Sequence, residues 1–268
     1  MKNSKRNFLI LLLVVFSLYS CEDEFLLPSP EKVENTQLYA EVLGEFLSVW
    51  RRFDEGIRNP TVAAGGQVVI DQATVVKNGN ILSIDYGNIQ KLCADGKTRR
   101  GRIEAAINGD YGITGSLITI SFIGFRVDDI PIDGTIMISA VSSDPQFNIL
   151  STNFSYKDYL LNLNSTVTWH NGFNTYTFFD DTLTMTLQGT ATRQSKNFLL
   201  NYETDSQNTI KLALGCNYRV VKGLLNLRVD KDSSLVKLDF IEADGCNDLI
   251  KVEFVNERYN TFIKFSGF

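Results

Sequence analysis

The segment LITISFIGFRVDDIPIDGTIMISAV, residues 117–141, decides the fold class of this chain. Its runs at 117–122 and 135–141 are rich in Ile, Val, Thr and Phe, residue types that favour β-strands. Asp133-Gly134 stands between the runs, and both residues tolerate the positive φ of a tight turn. No helical pattern separates the runs, so the segment predicts antiparallel strands.

The same succession of strand runs and turn signals continues through most of the chain. Strands recur at intervals of roughly ten residues, which predicts a single antiparallel β domain over residues 65–268. Both a β-sandwich and a curved, partly closed barrel fit this spacing. Asp85 and Cys93 have later counterparts in Asp239 and Cys246 at almost the same spacing, which predicts an internal duplication of a hairpin unit. Further strand runs are 67–76, 182–188, 222–229, 234–240 and 250–254.

Residues 35–58 have the pattern of one N-terminal amphipathic α-helix. Their apolar residues recur in steps of three and four, and Pro60 follows the expected end. The polar face mixes Glu41, Glu45, Asp54 and Glu55 with two arginines, whereas helices that lie on membranes usually have a basic polar face. We therefore expect this helix to pack on the β body.

The N-terminus has the pattern of an export signal. Lys2, Lys5 and Arg6 precede an apolar run at 8–16, which is too short to span a bilayer of roughly 30 Å comfortably. Residues 1–20 are therefore predicted to be a lipoprotein signal peptide, and residues 21–34 an acidic tether. Residues 18–21, Leu-Tyr-Ser-Cys, resemble the bacterial lipobox, which implies that Cys21 becomes the lipid-modified first residue of the mature protein. The alternative is an ordinary cleaved signal with an incidental cysteine.

The charge and the other cysteines limit the classes of partner. The chain is acidic, with a net charge of −5, and has no basic stripe, so the sequence predicts no nucleic-acid partner. Cys216 and Cys246 are expected in neighbouring C-terminal strands and are predicted to form a disulfide; the alternative is that both, with Cys93, are buried thiols. The cysteine spacings do not fit zinc, and His170 is the single histidine, so no metal site and no cofactor are predicted.

Several segments resemble a family of outer-membrane and surface lipoproteins of Bacteroidota whose function is unknown. The resemblance covers roughly residues 65 to 265, and Glu242-Ala243-Asp244 departs from the short glycine turn expected before Cys246. It implies a β fold and an outer-membrane location, facing either the periplasm or the cell surface, and it carries no activity. The acidic triplet at 22–24 likewise resembles the export tag of surface lipoproteins in that phylum, or is a solvated tether. The matching segments are 84–87, Cys93, 95–103, 109–111, 125–135, 168–169, 189–191, 238–240 and 245–247.

Two sets of side chains are candidate ligand contacts. Arg100 and Arg102, in the one basic cluster, could capture an anionic group through forked hydrogen bonds, or could be a solvated strand face. Trp169 and Tyr176 belong to an aromatic-rich stretch that could bind a sugar, although aromatic residues of β proteins mostly pack in the core.

No catalytic residue can be assigned from the sequence. His170 has no Gly-x-Ser-x-Gly motif to serve, and the paired aspartates at 128–129 and 180–181 lack the regular spacing of a calcium loop. The sequence therefore predicts a lipid-anchored, non-catalytic envelope protein that binds a protein or a glycan. The alternatives are a carboxylate-based hydrolase acting on glycans and a carrier of an apolar ligand.

Overall fold

The computed structural model describes residues 27–142, 145–175, 178–196, 198–216, 219–229, 234–240 and 249–265. The predicted signal peptide, Cys21 and the first part of the tether lie outside the described residues, as do Tyr176 and Cys246.

The N-terminal helix, α1, spans Pro30–Ile57 and is followed by one short turn of helix, α2, at Pro60–Ala63. Helix α1 begins five residues earlier than predicted, so residues 30–34 of the expected tether are helical. The cause is local: the Ser29 side chain accepts a hydrogen bond from the Lys32 N–H at 3.2 Å, and Pro30 occupies the first turn. Proline is favoured there because its missing N–H would have no helical partner in any case.

The described residues also form sixteen β-strands in one antiparallel sheet. A stretch predicted as one strand, 67–76, is a hairpin of two strands, because Asp71 and Gln72 adopt φ values of 43° and 71° and turn the chain. The strands are β1 (Gln67–Ile70), β2 (Ala73–Asn78), β3 (Ile81–Leu92), β4 (Thr98–Asn108), β5 (Leu117–Val127), β6 (Ile130–Pro131), β7 (Asp133–Ala140), β8 (Gln146–Tyr156), β9 (Tyr159–Asn171), β10 (Thr182–Arg193), β11 (Phe198–Thr204), β12 (Ile210–Ala213), β13 (Arg219–Val229), β14 (Leu235–Phe240), β15 (Leu249–Phe254) and β16 (Tyr259–Lys264).

The strands follow one another across the sheet in chain order, with two exceptions. Strand β6 pairs only with β5, and β12 pairs with both β10 and β13, which closes a local ring of strands. The prediction of a mainly antiparallel β protein with one N-terminal helix is confirmed. Of the two arrangements that were expected, the single, partly ring-closed sheet corresponds to the curved one.

Helix α1 is enclosed by the curved sheet and fills its interior. Tyr39 packs on Tyr202 of β11 with ring centroids 5.1 Å apart, and Phe46 contacts Phe154 of β8 at 5.7 Å. Further along, Trp50 contacts Trp169 of β9 at 5.9 Å. Strands far apart in the sheet therefore share one hydrophobic core around this helix.

Half of the polar face of α1 is also buried, contrary to the amphipathic pattern: Glu45, Arg52 and Asp54 are each at most 3% exposed. Arg52 donates to the Tyr86 hydroxyl at 2.6 Å and to Asp71 at 2.7 Å, and Arg99 of β4 is held by both carboxylate oxygens of Asp95. Burial alone would raise the pKa of Asp95, but the hydrogen bond and charge of Arg99, with the charge of Arg52, hold it below its usual value. Buried charges are tolerated here because each has an ionic partner.

The two ends of α1 face different parts of the fold. At its N-terminal end, Glu34 pairs with Arg193 at the end of β10 at 2.7 Å. At the C-terminal end of α1, Asp54 accepts a hydrogen bond from Tyr111 of the loop β4–β5. Arg58, which caps the helix, donates to the backbone oxygen of Phe173 in the loop β9–β10. A helix of this length spans about 42 Å, so these two ends lie far apart.

Candidate functional site

A cavity of about 330 Å³ lies at the C-terminal end of α1. Its wall is built by the end of α1, by α2, by β2 and by the loops β4–β5 and β9–β10, so five elements converge on it. Ile57 and Ala63 contribute apolar surface, and the remaining lining residues are Arg58, Lys77, Asp110, Tyr111, Phe173 and Asn174.

Arg58 fixes the loop β9–β10 beside the cavity. Its Nη2 donates to the backbone oxygens of Gly172, Phe173 and Thr175 at 3.0–3.1 Å and lies 2.7 Å from Oδ2 of Asp181. Arg58 caps α1, where a cation also interacts favourably with the negative end of the helix dipole. One buried side chain thus holds a loop that is more than a hundred residues away along the chain.

Three aromatic rings surround the Arg58 guanidinium. Its central carbon lies 5.1 Å from the ring of Trp169, 5.4 Å from Phe173 and 4.9 Å from Phe178. Trp169 is only 5% exposed, so it is not the surface platform that the sequence suggested. The reason is physical: a cation withdrawn from water is stabilised by aromatic faces, and these rings serve Arg58.

Two buried carboxylates complete this cluster. Asp54 pairs with Arg58 at 3.2 Å and accepts a hydrogen bond from the Tyr111 hydroxyl at 3.0 Å. Burial raises the pKa of Asp181, and the hydrogen bond and charge of Arg58 only partly offset that effect. Asp54 and Asp181 are not among the described residues that line the cavity, because both carboxylates point at Arg58.

The aromatic wall of the cavity is held rigidly by packing. Tyr111 and Phe173 have ring centroids 5.6 Å apart, and Phe147 contacts both, stacking on Tyr111 at 4.9 Å and lying 5.7 Å from Phe173. Gly112 lies against the Phe173 ring, where a Cβ would approach Cε1 to 2.4 Å. Both wall residues are half-buried, so each presents part of its ring to the cavity.

Three polar side chains at the cavity are available to a ligand. Within the described part of the chain, Lys77, Asp110 and Asn174 make no side-chain hydrogen bond and no ion pair. An ammonium, a carboxylate and a carboxamide together supply several donors and acceptors. The site can therefore orient a small polar molecule against an aromatic wall.

The predicted basic cluster does not form one binding surface. Arg100 lies on the outer face of β4 and pairs with Asp129 at 3.1 Å, and Arg102 on the same face pairs with Glu104 at 3.0 Å. Trp169 points into the core on the opposite side of the sheet, so the structure does not bring these three residues together. Tyr176, the fourth predicted contact, lies outside the described residues.

The cysteines are divided between two states. Cys93 is a buried free thiol, and Cys216 is disulfide-bonded. The predicted partner, Cys246, is outside the described residues, so the pairing stays a prediction.

Sequence reasoning missed the residues that build the cavity. Arg58 is the last residue of the predicted helix, and Lys77 lies beside a turn signal, but neither position marks a site. Two signals were available: Asp110 and Tyr111 belong to a segment that carries the family resemblance, and Phe173 belongs to the aromatic-rich stretch around Trp169. No local pattern could have joined these segments, because they meet only through the curvature of the sheet.

The described residues give two further limits on the site. No group of three or more metal-binding side chains occurs among them, and no helix that they form is long and apolar enough to cross a membrane. Comparison of the chain with protein-family models, curated proteins and solved structures finds no match. The fold and cavity therefore define this protein only as a single curved antiparallel sheet around a buried helix, with an aromatic-walled cavity at the helix end.

Proposed function

We propose that this protein is a lipid-anchored, non-catalytic protein of the bacterial outer membrane that binds a glycan in the cavity at the end of α1. The observation that carries the proposal is the composition of that cavity. Two fixed aromatic rings, Tyr111 and Phe173, face three polar side chains that have no partner among the described residues.

A sugar unit fits this combination of groups. The C–H face of a sugar ring packs on an aromatic ring, while its hydroxyl groups both donate and accept hydrogen bonds. Lys77 supplies donors, Asp110 acceptors and Asn174 both. The volume of about 330 Å³ lies at the lower end of the range for small-molecule sites, which suits one or two sugar units.

The order of the elements supports the lipid-anchored part of the proposal. Cys21 precedes the N-terminal end of α1 by nine residues, and the cavity lies at the C-terminal end. With α1 about 42 Å long, an anchor at Cys21 would leave the cavity on the part of the protein remote from the anchored end. That direction suits the capture of a ligand from outside the membrane.

The two alternative functions have less support. A glycoside hydrolase needs two carboxylates on either side of the bond that it cleaves, whereas Asp54 and Asp181 both hold Arg58. A carrier of an apolar ligand needs interior space, and α1 occupies the concave side of the sheet with Tyr39, Phe46 and Trp50.

A glycan-binding screen tests the proposal. The exported full-length chain carrying Cys21→Ser is presented to an array of neutral and acidic oligosaccharides, and affinities are measured by calorimetry. Phe173→Ala should weaken binding of the best ligand at least tenfold, equivalent to about 1.4 kcal/mol, because it removes one wall of the cavity. Phe179→Ala is the matched control, since that ring is 91% exposed and does not line the cavity.

The result that overturns the proposal is equal affinity of the Phe173→Ala and Phe179→Ala variants, or no binding to any oligosaccharide. Thermal unfolding of both variants shows whether a loss of affinity reflects a loss of fold. The anchor is tested separately by labelling cells with an alkyne fatty acid. Label in the wild-type chain and none in Cys21→Ser is the expected outcome.

A further inference from the structure

Three consecutive strands at the middle of the sheet carry no ionic side chain on their outer face. No Asp, Glu, Lys or Arg occurs in β8, in β9, or in β10 before Arg193, although 21% of the whole chain is charged. We call their outward side the uncharged face. It consists of the even-numbered residues of 146–152, 160–170 and 182–192, mostly Thr, Asn and Gln.

The strands that follow β10 in the chain do not share this composition, since each contains at least one charged residue. One row of paired residues crosses the uncharged face through Asn164 and Gln188. It continues into Glu203 of β11, and further along into Lys237 of β14 and Glu253 of β15. Toward the C-terminal strands the outward positions thus carry the usual charges of a soluble surface, so the uncharged face ends at β11. In the other direction the same row stays uncharged through Met137 of β7 and Thr119 of β5.

A depression of about 390 Å³ lies on the uncharged face. It forms where the pairing of β8 with β9 shifts between Ser151 and Phe154. Asn153 bulges out there with φ of 50°, and its N–H donates to Oδ1 of Asn162 at 2.9 Å. On the other side, a Cβ at Gly189 would lie 2.0 Å from the Asn162 oxygen, so glycine is needed for the close approach of β10.

The polar side chains around the depression differ from those beside it. Elsewhere on the uncharged face, Gln146 donates to Thr168 and Thr166 to Asn148, each at 3.3 Å. At the depression, by contrast, four side chains make no hydrogen bond to any described residue; they are Thr152, Asn164, Gln188 and Thr190. Their amide and hydroxyl groups are therefore free to exchange water for a ligand.

We infer that the uncharged face is a second contact surface, which binds a segment of an uncharged polysaccharide. Hydroxyl groups of such a chain can replace water on amides and hydroxyls without the large cost of dehydrating a charged group. Leu150, which is 42% exposed and pairs with Asn164, offers apolar surface for the C–H groups of a sugar. The inference shares the ligand class of the proposed function but rests on different residues.

Affinity electrophoresis of the full-length Cys21→Ser chain tests this inference. Gels contain amylopectin or galactomannan, which are uncharged, or polygalacturonate, which is acidic. The double variant Asn164→Ala with Gln188→Ala should raise the dissociation constant for an uncharged polymer at least threefold. Thr190→Glu, a single change at a half-buried, outward-facing strand position, should do the same by adding a charge.

The matched control is Asn260→Ala with Gln67→Ala, which removes the same two groups from exposed positions on β16 and β1. It should leave retardation unchanged. The inference is overturned if the Asn164→Ala, Gln188→Ala variant migrates like this control, if polygalacturonate retards the wild type as strongly, or if neither uncharged polymer retards it.

The cavity variant Phe173→Ala separates the two sites in the same gels. If Phe173→Ala abolishes retardation and the double variant does not, the inference fails and the proposed function stands. If the double variant abolishes retardation and Phe173→Ala changes neither gel nor array binding, the uncharged face stands and the proposed cavity function fails.

Discussion

Arg58 Nη2 lies 2.7 Å from Oδ2 of Asp181, and this buried ion pair joins the end of α1 to the residue that precedes β10. The same guanidinium holds Asp54 one helical turn earlier and three backbone oxygens of the loop β9–β10. The cavity wall therefore depends on a single cation that is itself hidden from water.

Replacement of Arg58 should destabilise the whole fold. Arg58→Met leaves Asp54 and Asp181 buried without their cation, and removal of one partner of a buried pair costs about 3–5 kcal/mol. Arg58→Lys keeps the charge but loses the forked hydrogen bonds, so its loss should be smaller. Urea unfolding measures the free energy of unfolding for each variant.

Arg228→Met is the control, because Arg228 is exposed and its ion pair with Glu203 is long, at 4.0 Å. It should change the free energy of unfolding by less than about 0.5 kcal/mol. If Arg58→Met lowered the free energy of unfolding as little as Arg228→Met does, the buried cluster would not hold the loop.

The Asp95–Arg99 pair should make stability depend on pH. The pKa of Asp95 is below its ordinary value of 3.8 in the folded protein, so its ionised form favours folding. That contribution is complete above the unfolded pKa and is lost as the pH falls through the folded pKa. Asp95→Asn should therefore be less stable than the wild type at pH 7, and the difference should shrink below a pH of about 4.

Asp129→Asn serves as the comparison for that titration, because Asp129 pairs with Arg100 at the surface. Its effect at pH 7 should be much smaller. A stability difference for Asp95→Asn that stays constant from pH 7 to pH 3 would contradict the assignment.

Gly112 should control the position of the Phe173 ring. Gly112→Ala places a Cβ 2.4 Å from Cε1 of that ring, whereas Gly115→Ala, at the same φ of 89°, meets nothing within 4 Å. Both variants pay the strain of a positive φ, about 1–2 kcal/mol, so the difference between them isolates the ring contact. We expect Gly112→Ala, but not Gly115→Ala, to weaken sugar binding as well. Equal sugar binding by the two variants would show that Gly112 does not control the position of the Phe173 ring.

The disulfide of Cys216 should link it to Cys246. Peptide mapping without reduction is expected to find these two cysteines joined and Cys93 as a thiol that reacts slowly because it is buried. Cys216→Ser should lower the free energy of unfolding by about 2–5 kcal/mol. A peptide that joins Cys216 to Cys93, or a fully reduced map, would contradict the pairing.

The sequence was informative wherever a local pattern decides the structure. The β-branched runs predicted antiparallel strands, and strict alternation correctly placed Arg100 and Arg102 on one face of β4. The turn after β5 was misplaced, since it lies at Asp128-Asp129 and Asp133-Gly134 begins β7. The hairpin at Asp71-Gln72 was missed because the apolar run on both sides of it looks continuous.

The rest depends on contacts between distant segments. The sequence pattern of α1 did not indicate which residues of its polar face are buried. The pairing of Arg52 with Asp71 and of Glu45 with Lys97 explains why these two are. The cavity likewise requires the end of α1 and two loops that meet through the curvature of the sheet. Trp169 was recognised as part of an aromatic cluster, but the cation that it faces could not be read from the pattern around it.

A crystal structure of the protein soaked with the best-binding sugar from the array tests the central claim most directly. The account predicts density for a sugar ring against Tyr111 and Phe173, with its hydroxyl groups within 3.2 Å of Lys77, Asp110 or Asn174, as hydrogen bonding requires at about 2.7–3.2 Å. Density for the sugar elsewhere, with the cavity filled by water alone, would contradict it.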